Sequence, residues 1–173
     1  MFAAMVSEQA IEQSLEALTA AEAVEQGMLT FASEQVPYLQ YLRTDSFDLL
    51  TDDERDYLLY LGLVIYRAAR SEAPEGAPRA IPGERIEEWD ERCWEWMQAT
   101  VGKPMTERLT VFFDNIDQEE LLAFAEDSLT PVEEDAPAGD AEELKLFDTG
   151  ASRELAFVAL AVLVAGLDAV IGS

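Results

Sequence analysis

The sequence predicts an all-α fold: a single-domain helical bundle or array of about six or seven helices around a buried C-terminal helix. Three observations lead there. Apolar residues recur at spacings of three and four along the chain, helix start and stop signals punctuate that recurrence, and no convincing strand pattern interrupts it. With 173 residues, 49% of them hydrophobic, the chain falls within the usual span of one domain, 1–173, and can bury a real core.

The elements follow in order. After Ser7, the residues Ile11, Leu15, Leu18, Ala21, Val24 and Met28 mark one amphipathic helix. Gly27 and Pro37 predict its end or kink, ahead of a short second helix carrying "YLQYLR". The stretch "TDDERDYLLYLGLVIYRAAR" has the plainest helix chemistry. Thr51 and Glu54 form a capping box, Asp52 and Asp53 sit at the positive end of the helix dipole, and Arg67 and Arg70 sit at the negative end. Its uncharged middle, Tyr57 to Tyr66, is expected to lie beside the C-terminal helix.

A Pro- and Gly-rich connection, about 71–83, then interrupts. The next helix is expected from about Glu84 to Thr100, stopped by Gly102, with Pro104 opening "MTERLTVFFDN" and Asn115 ending it in the left-handed conformation. Asp117 with Glu120 supplies a capping pattern for "LLAFAEDSL", and an acidic loop, about 130–143, follows.

The last element raises the membrane question. Leu155 to Leu167 is an unbroken apolar run, about 20 Å long as a helix against a hydrocarbon layer about 30 Å thick. Extension to Ile171 takes in Asp168, and no Lys/Arg cluster or aromatic belt flanks it. Rich in alanine and containing Gly166, it suits the centre of a bundle, capped by Asp148 or Thr149; a tail anchor is the minority alternative.

Charge is the strongest compositional signal. Eleven basic against 36 acidic residues leave a net charge of −25, and the lysines are only Lys103 and Lys145. Such an excess repels itself unless salt screens it; at about 1 M salt the screening length is about 3 Å. Low lysine with excess acid therefore reads as adaptation to a salty cytoplasm. The stretch from Leu109 to Leu144 has no Lys or Arg, so part of the acid could instead form a partner surface or mimic nucleic acid. Direct nucleic-acid binding is not expected, since no basic patch exists for phosphates.

Other chemistry is narrowed by what is missing. There is no histidine, and Cys93 is the one cysteine, which excludes histidine-based triads, histidine zinc sites and an intramolecular disulfide, and fits a reducing compartment. The opening "MFAAMVSEQA" carries no positive region, so a cytoplasmic location is expected. No catalytic residue, metal or cofactor is assigned.

In "ERIEEWDERCWEWMQ", the residues Ile86, Trp89, Cys93, Trp96 and Met97 share a helix face and read as core, with Trp94 at its edge. The expected partner-binding residues are Trp94, Asp114, Glu133, Glu134 and Asp135, tryptophan being enriched at binding hot spots. The carboxylates Glu84, Glu87, Glu88, Glu91 and Glu95 suit a solvated face, with Glu88 pairing to Arg92, better than a hard-cation site. "DNIDQEE" lacks the glycine and terminal glutamate of a calcium loop. The leading expectation is a non-enzymatic protein-interaction or regulatory domain, with a protein partner or self-association. The runner-up is a carboxylate-based enzyme with Tyr38, Tyr41, Tyr57, Tyr60 and Tyr66 around a pocket.

Overall fold

The computed structural model describes residues 5–73, 80–129, 147 and 149–171. Among these are eight α-helices and a 3₁₀ turn, with no strand: α1 (Glu8–Ala17), α2 (Ala21–Glu34), α3 (Val36–Tyr41), the turn Asp45–Phe47, α4 (Asp52–Ser71), α5 (Gly83–Ala99), α6 (Met105–Asn115), α7 (Glu119–Leu129) and α8 (Gly150–Ile171). The loop expected at about 130–143 lies outside the described residues.

The axis of the molecule is α8. Every residue from Leu155 to Leu167 is buried, so the helix has no polar face to turn outward and must be surrounded. The most extensive packing in the fold is that of α5 along α8; α7 and α4 also lie against it, and α1 and α2 pack on α4. Among the described residues, no helix is long and apolar enough to cross a membrane. One contiguous hydrophobic cluster runs from Val6 to Leu167.

Small residues and a few polar groups tune this packing. A Cβ at Gly166 would stand 2.8 Å from both Cδ1 and Cγ2 of Ile81; the glycine is thus a notch in α8 into which Ile81 seats. The Ile81 amide donates to Gln35 Oε1 at 3.0 Å, and the Tyr38 hydroxyl donates to the Ala159 carbonyl at 2.7 Å. Arg108, almost fully buried, donates to the Met97 carbonyl and to Thr100 and pairs with Glu154, joining α5, α6 and α8. A buried guanidinium is tolerated only when its donors are used in this way.

Several local readings hold. Ser7 caps α1 by accepting from the Ala10 amide, both halves of the Thr51–Glu54 capping box form, and the Thr149 hydroxyl accepts from the Ser152 amide at the start of α8. Gly102 adopts φ +91 just past α5, as a helix-stopping glycine should.

Others need correction. The single helix expected from Ser7 breaks into α1 and α2, because Leu18 leaves the helix and Thr19 Oγ1 donates to the Glu16 carbonyl, replacing a backbone donor. Leu18 stays buried at the break, close to Gly27, so apolar spacing runs on uninterrupted while the backbone turns. Gly27 lies inside α2 instead of ending a helix. Asn115 is not left-handed: its side chain donates to the Val111 carbonyl, and the extended Ile116 closes α6. Gln118 immediately precedes α7, so the expected Asp117–Glu120 box falls one residue out of register. Glu88 pairs with Arg85, while Arg92 lies over the Trp89 ring at 5.0 Å.

Candidate functional site

The residues between α3 and α4 create a small apolar cleft, and the sequence explains its form. At the end of α3 the amides of Arg43 and Thr44 turn back to the carbonyls of Gln40 and Tyr41. The 3₁₀ turn that follows sends Phe47 inward, and Leu50 lies buried beside it ahead of the Thr51 cap. Arg55, in the first turns of α4, donates to the Phe47 carbonyl at 2.9 Å and to Asp48 at 3.1 Å, which fastens the turn to the helix.

The result is a cleft of about 130 Å³ lined by Leu39, Leu42, Phe47, Leu50, Leu58 and Leu59, with Arg43 and Arg55 at its edge. No Asp or Glu lines it, in a chain with 36 of them. Arg43 is exposed and makes no ion pair with any described residue. Leu49, beside Leu50 in the chain, is 56% exposed. Size decides what fits. An apolar cavity of about 150 Å³ accepts a benzene-sized group, whereas sites for whole small molecules run to about 300–1,000 Å³. A cleft of this volume has room for one large apolar side chain, beside the exposed Arg43 and the Arg55 that is paired with Asp48.

Of the expected partner residues, Trp94 is half-buried at the edge of the core, with part of its surface exposed. Asp114 is exposed near the end of α6, and Glu133, Glu134 and Asp135 lie outside the described residues. Neither Trp94 nor Asp114 lines the α3–α4 cleft. The sequence reading missed the cleft because Leu42, Leu50, Leu58 and Leu59 look like ordinary helix-face residues. The available signal was the pair of arginines, Arg43 and Arg55, flanking "TDSFDLLTDDE" in a chain poor in basic residues.

The thiol and the phenols are largely engaged in the core. Cys93 is buried, and that burial, followed by the charge of Asp90, pushes its thiol from 9.0 up to about 12, so it is not a ready nucleophile at neutral pH. The tyrosines each have their own partners. Tyr38 is tied to Ala159, Tyr41 donates to Asp90 and Tyr66 donates to Glu34, while the Tyr57 and Tyr60 rings stack on each other. Burial raises the phenol pKa of Tyr38, Tyr41, Tyr57 and Tyr66. Among the described residues, no group of three or more Cys, Asp or Glu is arranged to hold a metal ion.

No protein-family model, no curated protein and no solved structure matches this chain.

Proposed function

We propose that the protein is a non-enzymatic interaction domain that uses the α3–α4 cleft to grip a partner, and that its acid shell adapts it to a salty cytoplasm. One observation carries the reading: an apolar cleft sized for a single side chain, free of acidic lining and flanked by Arg43 and Arg55. Interfaces concentrate their energy in such anchor pockets, where one large side chain leaves water, while a charge at the rim fixes register. The occupant that fits is a short partner segment presenting one Leu, Ile or Phe beside a carboxylate. The carboxylate meets Arg43, whose planar fork suits it.

Selection of short displayed peptides on the folded protein tests this. The selected sequences should centre on one large aliphatic or aromatic residue next to Asp or Glu. Their binding, read by fluorescence anisotropy, should weaken about tenfold or more in Leu59→Glu and in Arg43→Glu. Both residues are at the surface of the cleft, so each variant should keep its helix content. Selected peptides that ignore both substitutions, or that depend on Trp94 instead, would overturn the reading.

A further inference from the structure

A second cleft opens at the other end of α4. It measures about 360 Å³ and lies between α2 and the C-terminal half of α4, where Gln26, Gly27, Leu63, Tyr66, Arg67 and Arg70 line it. Its volume falls inside the range of small-molecule sites, about 300–1,000 Å³, which the α3–α4 cleft does not reach.

Its lining combines the small or apolar residues Ala17, Ala23, Gly27 and Leu63 with the polar Gln26 and Thr30 and the donors Tyr66, Arg67 and Arg70. A Cβ at Gly27 would stand 3.1 Å from Leu63 Cδ2, so the glycine lets α2 approach α4 closely. Glu34, which is not itself among the lining residues, accepts the Tyr66 hydroxyl at 2.9 Å and pairs with Arg70. That carboxylate holds two donor-bearing side chains in place before any ligand arrives, which lowers the entropy lost on binding. Glu34 also offsets the charge of Arg70, while Arg67 has no such carboxylate among the described residues. Arg67 lies one turn before Arg70 on the same face, is exposed, and forms no ion pair with any described residue. No Asp or Glu lines this cleft either.

We infer that this cleft binds a small organic anion, its apolar body against Gly27 and Leu63 and its carboxylate or phosphate oxygens on Arg67. The inference concerns a different cleft from the proposed partner site and does not depend on it.

Phenyl phosphate is a suitable probe, titrated into the full chain at the lowest KCl concentration that keeps native helix content. Amide resonances of Gly27, Leu63 and Arg67 should shift together and saturate. Arg67→Gln should weaken binding about tenfold. Ala23 of α2 also lines the cleft, so Ala23→Phe should fill it and abolish binding, while Arg43→Gln should leave binding intact. Absence of saturable binding overturns the inference, as do wild-type affinity in both Arg67→Gln and Ala23→Phe, or shifts that map to the α3–α4 cleft. Equal affinity for neutral benzyl alcohol would remove the role of the anion, and equal affinity for inorganic phosphate would remove that of the apolar body; either overturns it.

Discussion

Two glycines on the inner helices make opposite predictions, because their surroundings differ by less than an ångström. At Gly62 an added Cβ would meet the Phe31 ring and Leu163 at 3.5 and 3.6 Å, ordinary contact distances. Gly62→Ala should therefore be neutral or stabilise by up to about 1 kcal/mol through helix propensity. At Gly166 the same methyl collides with Ile81, which is fully buried and cannot swing away. Gly166→Ala should destabilise by about 1–3 kcal/mol despite the same propensity gain. Urea titrations of the two variants check the signs. In Ile81→Ala the collision disappears, so the cost of Gly166→Ala in that background should shrink.

The buried thiol and phenols set the alkaline limit. In the unfolded chain Cys93 ionises near 9.0, while in the fold its proton is held to about 12. The folded state therefore binds more protons across that window, and stability is complete below about pH 9 and declines as pH climbs toward 12. Tyr38, Tyr41 and Tyr66, also raised, add to the decline. Stability measured against pH in Cys93→Ala should show a shallower alkaline fall than the parent.

For single elements, the capping glutamate of α4 reaches beyond its own helix. Glu54 is buried; one oxygen accepts from the Thr51 amide, and the other accepts from the amide of Phe147. Phe147 sits at φ 56, an uncommon conformation for a non-glycine residue, and its carbonyl accepts from Arg153. Its backbone is thus held on both sides, by α4 and by α8. Thr51→Ala should cost about 1 kcal/mol, the usual value of a cap. Glu54→Ala should cost more, about 2–4 kcal/mol, because two amides lose their acceptor, one of them buried. Chemical denaturation of both variants checks the order.

The capping box was legible in the sequence because Thr51 and Glu54 are three residues apart and the bonding is local. The second bond of Glu54, with a residue 93 positions away, has no sequence signature. The same contrast explains the split of α1 from α2: Leu18 keeps the apolar spacing on both sides of the break, so periodicity alone reads straight through it.

Across the whole molecule, the feature read most easily was the burial of α8, since thirteen apolar residues without a polar face, too few to cross a bilayer as a helix, must be surrounded by other helices. The two clefts were not legible. Each is a gap between helices distant in sequence or separated by a turn, and each depends on how closely two backbones approach. The charge predicts a response to salt. If the excess of 36 acidic over 11 basic residues is self-repelling, the melting temperature should climb steadily from low to multimolar KCl. A flat profile would remove salt adaptation as the explanation of the composition.

One short relay of side-chain bonds has a consequence for motion. The Val6 amide donates to Gln118 Oε1 at 2.9 Å, and Gln118 Nε2 donates to Asp168 Oδ1 at 2.8 Å. A single amide group thereby stitches the entry to α1 and the last turns of α8 to one spot, so the two extremities should fray as a pair. Deuterium uptake at both should accelerate together in Gln118→Leu, while the middle of α8 keeps its slow exchange.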